Sequence, residues 1–185
     1  MSDWYFPPSA EDRARVEAAL RICREAWGSI LNPPFPAAFD GSMNDVEALD
    51  YADYEGLSLR GVGLEEAALV CGETLRRAAG LEWAVSYRGD WLLAWDPREF
   101  SPFAVNPLAR LHELECGGGL RGHGVHAWFV RQAAFEIWPF LESEERRREV
   151  RGLFETDVVF LDRAAAALEA LRGPPPRRRR KTGGR

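Results

Sequence analysis

Four residues near the middle of the chain have side chains that bind metals: His112, Cys116, His123 and His126. They include all three histidines, and a glycine-rich segment connects them. Zn²⁺ accepts imidazole and thiolate in a tetrahedral set, so a chain folded around these residues would hold a structural or hydrolytic zinc ion. Their spacing matches no standard zinc pattern, and HELEC has a cysteine where the metalloprotease motif needs its second histidine. We therefore expect no cofactor, and zinc at this cluster is the alternative.

Other signatures of catalysis are missing from the sequence. The single lysine, Lys181, excludes a phosphate-binding Gly-x-x-x-x-Gly-Lys loop, and no Gly-x-Ser-x-Gly sequence marks a serine nucleophile. The glycine-rich segment 117–124 follows no predicted strand, as a dinucleotide-binding turn requires. Cys71 falls on the apolar face of a predicted helix, where a thiolate is disfavoured. These observations favour a protein that is not an enzyme.

A second group of charged residues is the acidic stretch 40–55, which contains no lysine or arginine. Such a stretch is either a solvated helix face or a surface that docks a basic partner protein. The docking interpretation predicts an exposed tryptophan or tyrosine cluster beside the acids. Its contact residues would be Asp45, Glu47, Asp50, Asp53 and Glu55.

The C-terminal segment 174–185 differs from the rest of the chain, because prolines are followed by six basic residues and no acid. The remaining residues hold 18 basic against 29 acidic side chains, a net charge of −11, so they repel phosphate backbones. The tail is then either a disordered, solubilising extension or a salt-sensitive contact for nucleic acid or an anionic lipid surface. That contact would use Arg177, Arg178, Arg179, Arg180 and Lys181.

The elements that must position these residues follow from hydrophobic spacing, caps and turn residues. Apolar residues at helical spacing predict the helices of the first half, and Gly80 is a helix stop. Alternation on both sides of Gly89 predicts a tight hairpin, and Pro102 places a third strand at a sheet edge. Gly72, inside the third helix, predicts a close approach to the sheet. The predicted elements are helices near 10–28, 44–52 and 64–79, strands near 82–87 and 91–95, and a strand near 99–105.

Helices near 107–116, 125–138 and 143–171 are predicted in the second half, with Pro139 ending or kinking the second of them. Together these elements predict an α+β fold in which helices pack a small antiparallel sheet of two to four strands. The N-terminal helix either covers the same core or stands off as an arm. We predict an N-terminal helix and proline-rich connector at 1–40, an α+β core domain at 41–173, and a disordered basic tail at 174–185.

The block 63–103 resembles small bacterial α+β proteins of unknown function, in which a helix and a glycine precede a tryptophan-rich hairpin. The resemblance covers about forty residues, and similar small domains occur among bacterial interaction modules, including toxin-immunity proteins. It implies a fold and transfers no catalytic residue. The matching residues are Leu69, Gly72, Glu73, Leu75, Arg76, Arg77, Leu81, Glu82, Trp83, Val85, Ser101, Pro102 and Phe103.

We therefore expect a bacterial, cytoplasmic protein that binds another protein without catalysis, as an immunity-type or accessory module. The N-terminus lacks the pattern of a signal peptide, and no apolar run is long enough for a transmembrane helix. Three widely spaced cysteines imply no disulfide framework. The alternatives are a metalloprotein or hydrolase at the histidine and cysteine cluster, and a nucleic-acid accessory protein that acts through its basic tail.

Overall fold

The computed structural model describes residues 5–54, 59, 61–95, 104–116, 124–141 and 143–153. Several predictions fall outside these residues. They are those for Glu55, His123, the strand residues 99–103, the last helix beyond residue 153, and the basic tail.

The fold is α+β, as predicted, with a four-stranded antiparallel sheet in the order β1-β2-β3-β4 and a helix-rich C-terminal half. The strands are β1 (Tyr5–Phe6), β2 (Glu82–Ser86), β3 (Trp91–Ala94) and β4 (Ala104–Val105). The helices are α1 (Ala10–Gly28), α2 (Met43–Tyr54), α3 (Leu64–Ala79), α4 (Pro107–Cys116), α5 (Val125–Ile137) and α6 (Glu144–Gly152).

Helix α1 begins with a capping box, in which Ser9 and Asp12 exchange hydrogen bonds. Its buried face packs against α3 in the common core. The N-terminal helix therefore covers the core and is not a separate arm. Strand β1 was not predicted, because its two residues are too few to show a periodicity.

Helix α3 is the centre of the fold, since α1, α2, α4, α5 and α6 all contact it. It ends at Gly80, which adopts the left-handed conformation with φ +71°, as a glycine stop does. A Cβ atom on Gly72 would lie 2.2 Å from Cη2 of Trp83 on β2. The predicted close approach to the sheet is confirmed, and it requires a residue without a side chain.

The hairpin of β2 and β3 pairs Trp83 with Leu93 and Val85 with Trp91. Trp83 and Trp91 are buried and meet edge to face at a centroid separation of 5.5 Å. Gly89 in the turn has φ +84°, which a side chain would strain. The sequence therefore predicted the hairpin correctly, and β4 is the predicted edge strand in its two described residues.

A buried carboxylate joins α3 to the hairpin. Glu73 accepts hydrogen bonds from Arg76 and Arg77 on its own helix and from Nε1 of Trp83, at 2.8 to 3.1 Å. Burial raises the pKa of Glu73, but the hydrogen bonds and the charge of Arg76 outweigh it and hold the pKa below its usual value.

The second half of the described chain consists of α4, α5 and α6. Pro107 opens α4, and the side chain of Asn106 accepts a hydrogen bond from the amide of Ala109, as a helix N-cap does. Helix α5 ends at Ile137 and passes into a single 3₁₀ turn that contains Pro139, so the predicted interruption is confirmed. Both α4 and α5 pack on α3 and on each other.

Candidate functional site

Asp45, one of the predicted contact residues for a partner, lies in the interior with no exposed surface. Its carboxylate accepts hydrogen bonds from four consecutive backbone amides, from Phe39 to Ser42, at 2.7 to 2.9 Å. This loop includes Phe39 and Gly41 at positive φ, so the carboxylate holds a turn that few residues adopt. Asp45 therefore fixes the entry into α2 and is not part of a docking surface.

Asp50, a second predicted contact residue, caps a helix that lies 76 positions away in the chain. Helix α5 begins after Gly124, which has no side chain to cap it. Asp50 Oδ1 accepts the amide of His126 at 3.0 Å, and Oδ2 accepts the amide of Ala127 at 2.8 Å. A negative charge at this position also suits the positive end of the helix dipole. The carboxylate therefore fastens α2 to the start of α5.

The same carboxylate orients the imidazole of His126, whose side chain is only 6% exposed. Nδ1 of the ring lies 2.9 Å from Asp50 Oδ1. Because an ionised carboxylate only accepts hydrogen bonds, Nδ1 carries the proton and donates it. In the neutral ring Nε2 is then the acceptor, and among the described residues it has no hydrogen-bond partner.

A cavity of about 190 Å³ adjoins this histidine. Among its described lining residues, His126 and Asp53 are polar, and the others are aliphatic or glycine. Asp53 Oδ2 is 3.7 Å from His126 Nδ1, while the Asp53 side chain is 67% exposed. Its partial burial raises the pKa of Asp53, His126 opposes this shift, and the charge of Asp50 adds to it. Two predicted groups, the acidic stretch and the histidines, thus meet here.

Three further described members of these groups lie elsewhere. His112 and Cys116 are exposed at the end of α4, with Sγ 3.7 Å from the ring nitrogens. Glu47, the remaining described acid, is partly exposed on α2 and lies 3.9 Å from Arg131 on α5.

The predicted zinc site would need His112, Cys116, His123 and His126. Within the described ranges no three histidine, cysteine, aspartate or glutamate side chains form a group that could hold a metal ion. His126 uses Nδ1 for Asp50, which leaves Nε2 as its only nitrogen for a metal. Since His123 lies outside the described residues, the four-residue site stays a prediction.

The aromatic cluster expected beside the acidic stretch is packed into the fold. Tyr51 of α2 meets Trp27 edge to face, and both contact Phe35 of the proline-rich connector. Trp27 is buried, and Tyr51 and Phe35 are partly buried against the core. Among the side chains that the structure describes, these aromatic residues therefore offer no exposed anchor beside the acidic stretch; the side chain of Tyr54 lies outside that part.

The two helical cysteines also serve the core. Burial raises the pKa of the Cys23 thiol to about 12, with further increases from Glu66 and Asp45. Burial likewise raises the pKa of Cys71 well above its usual value. A thiol is a nucleophile only as the thiolate, so both residues behave as small apolar side chains.

A groove between α4 and α5 was not predicted. Its volume is about 300 Å³. Phe129 and Ala133 form its buried floor, while Leu114 and Trp128 are partly exposed walls. Its rim is polar and consists of Arg110, Glu113, Gln132 and Glu136.

The rim residues of this groove are joined to one another across the two helices. Arg110 lies 3.4 Å from Glu136 and 3.8 Å from Glu113, and Gln132 donates to Glu136 at 3.1 Å. The signal in the sequence is the spacing of the lining residues, i, i+3 and i+4 on α4 and i, i+4 and i+8 on α5. Which two helices face each other is set by the tertiary fold, so this spacing alone did not identify the groove.

Comparisons with family models, with curated proteins and with solved structures found no match to this chain. The resemblance of the block 63–103 to small bacterial proteins therefore stays a prediction. Among the helices of the described part of the chain, none is long and apolar enough to cross a membrane.

Proposed function

We propose that this chain is a non-enzymatic protein-interaction module that binds a basic, amphipathic segment of a partner protein. The groove between α4 and α5 is the observation that carries the proposal. It combines a buried apolar floor, a partly exposed tryptophan and a hydrogen-bonded polar rim, which is the anatomy of an interaction hot spot. An apolar side chain of the partner would enter beside Trp128.

The charge of the groove and of the chain favours a basic partner. Among the described residues, two carboxylates (Glu113 and Glu136) and one guanidinium (Arg110) surround the opening, so this part of the rim carries a net negative charge. Residues 1–176 have a net charge of −11, which attracts a basic segment over a longer range.

Several groups with catalytic potential have structural roles in the described part of the chain. Asp45 holds a loop, Asp50 caps a helix, and Glu73 joins α3 to the hairpin. Cys23 and Cys71 are buried thiols with raised pKa values. These roles support a binding protein over a hydrolase. Because Asp45 and Asp50 are used in this way, the interaction surface moves from the predicted acidic stretch to the groove.

The proposal also includes a bacterial, cytoplasmic setting and an accessory or immunity-type role. Its three cysteines are free, as is usual in a reducing compartment. Contact of Arg177–Lys181 with nucleic acid or an anionic surface is a separate prediction, since these residues lie outside the described part of the chain.

A charge-reversal pull-down tests the groove. We would compare the tagged full chain with the double variant Glu113→Arg/Glu136→Arg in extracts of the cell that encodes it. The matched control is Glu17→Arg/Glu25→Arg on α1, which makes the same change of charge at two exposed positions. Circular dichroism checks that all three proteins are folded.

We expect one partner to be retained by the wild type and by the control, and to be reduced at least about tenfold with the groove variant. Equal retention by all three proteins would place the binding surface elsewhere. No specific partner with the wild type at low salt would contradict the interaction module itself.

A further inference from the structure

The cavity beside His126 has lining chemistry that the protein-interaction proposal does not use. The side chain of His126 is more than nine-tenths buried, and its Nδ1 is hydrogen-bonded to Asp50. Nε2 is therefore on the edge of the ring that does not contact this carboxylate. No described residue forms a hydrogen bond with Nε2, and this atom is not fully buried. It therefore borders accessible space, and the residue lines the cavity.

Both polar side chains of the cavity accept hydrogen bonds. Nδ1–H of His126 already donates a hydrogen bond to Asp50, so Nε2 of the neutral ring can only accept a hydrogen bond. Asp53 is a carboxylate, and the titratable groups that lie beside it among the described residues are His126 and Asp50. A ligand that satisfies both groups must supply N–H or O–H donors, and a positive charge would offset that of Asp53.

The other described lining residues indicate the size and polarity of the rest of the ligand. Leu49, Leu59, Val62, Leu64 and Ala67 form aliphatic walls on three segments of the fold. The volume of about 190 Å³ corresponds to only a few water molecules, at roughly 30 Å³ each in the liquid. The site is therefore smaller than a drug-sized pocket and suits a short alkyl chain.

We propose that this cavity binds a primary alkylammonium group, whose N–H groups donate to His126 Nε2 and Asp53 while its short alkyl chain lies among the aliphatic residues. The group is either that of a free small amine or that of a lysine side chain from another molecule. The alkyl chain replaces water against the apolar walls, and the ammonium supplies the missing donors.

Titrations of the isotope-labelled full chain with three isosteric probes test this site. The probes are n-butylammonium, 1-butanol and butyrate, in phosphate buffer at constant ionic strength, and the readout is the imidazole resonance of His126. We expect saturable binding of n-butylammonium with a Kd on the order of 1 mM, and binding of 1-butanol and butyrate weaker by at least about tenfold. A blocked lysine, Nα-acetyl-lysine methylamide, separates the two sources: binding comparable to n-butylammonium indicates a side chain, and its failure to bind indicates a free amine.

Two variants on α2 complete the experiment. Asp53→Asn removes the charge at an exposed position, and we expect it to weaken n-butylammonium binding at least fivefold. Glu47→Gln makes the same change at a carboxylate outside the cavity lining and should leave the Kd unchanged. Equal binding of all three probes, an unchanged Kd in Asp53→Asn, or the lack of a saturable shift of His126 would each overturn the proposal.

Discussion

Two carboxylates, the buried Glu73 on α3 and the partly buried Asp50 on α2, join elements of this fold in different ways. Glu73 is surrounded by partners within ten residues of the chain, two of them arginines. Asp50 takes its partners from α5, 76 positions away, and they are two backbone amides and an imidazole. Both carboxylates are well satisfied, and the partner of the second one, His126, also lines a cavity.

The difference separates a structural network from a candidate site. In the Glu73 network both carboxylate oxygens accept hydrogen bonds, from two arginines and Trp83, so the carboxylate offers no free acceptor to a ligand. At Asp50 the imidazole is fixed through Nδ1, while Nε2 has no hydrogen-bond partner among the described residues, and this arrangement presents a hydrogen-bond acceptor at a defined position. A site is therefore indicated by the polar atom of a buried side chain that has no partner in the described part of the fold, here Nε2 of His126.

The largest decrease in stability is expected from a substitution where α3 packs against the hairpin. Gly72→Ala places a methyl group against the Trp83 ring, which must move and lose its hydrogen bond to Glu73. We expect the free energy of unfolding to fall by about 2–3 kcal/mol, despite the better helix propensity of alanine. Chemical denaturation measures it. Gly28→Ala, at a position with no atom within 4 Å, is the control and should change stability by less than about 1 kcal/mol.

A stability equal to that of the wild type in Gly72→Ala would show that Trp83 has room to move. The close packing of Glu73, Trp83 and Gly72 would then not distinguish this region from the α2–α5 contact.

A smaller decrease in the free energy of unfolding is expected from a change at the α2–α5 contact. Asp50→Asn keeps only one accepting oxygen, so in either orientation of the amide its NH₂ group faces a donor, which is the amide of Ala127 in one orientation and the amide and Nδ1–H of His126 in the other. We expect the free energy of unfolding to fall by about 1–2 kcal/mol, as for the loss of a helix cap. Glu47→Gln on the same helix should stay within about 0.5 kcal/mol of the wild type. Equal stabilities of the two variants would contradict the capping role of Asp50.

The pH dependence of stability tests whether the charge of Glu73 stabilises the fold. Because the folded state holds the pKa of Glu73 below its usual value of 4.5, the ionised form stabilises the fold. This contribution is present above pH 4.5 and is lost as the pH falls through the lower pKa of the folded state.

We therefore expect the difference in unfolding free energy between the wild type and Glu73→Gln to shrink as the pH is lowered from 6 towards the acid limit. Urea denaturation at several pH values measures this difference. A difference that stays constant over this range would show that Glu73 does not stabilise the fold through its charge.

The α3–hairpin region could be predicted from the sequence because its determinants are local. Helical spacing, the stop at Gly80, alternation around Gly89 and an interior glycine at position 72 are all read within 30 residues. Strand β1 could not be predicted, since two residues carry no period and its pairing with β2 spans almost 80 residues.

The candidate site could be predicted only as separate pieces. Asp50, Asp53 and His126 were each singled out, the acids for a partner and the histidine for a metal. Their meeting depends on how α2 packs against α5, which no local pattern encodes. Asp45 was assigned to the surface with its neighbours, because the positive φ of Phe39 and the loop that it closes are not visible in residue types.

The tautomer of His126 tests the central claim most directly, namely that Asp50 fixes one edge of the ring and leaves the other open. Long-range proton–nitrogen correlation spectra of the labelled full chain, recorded at a pH where the ring is neutral, distinguish the two nitrogens. We expect a protonated Nδ1 and an unprotonated Nε2 in the wild type, with the exposed His112 as the internal reference. A ring with the proton on Nε2 would contradict both the Asp50 hydrogen bond and the acceptor that we assign to the cavity.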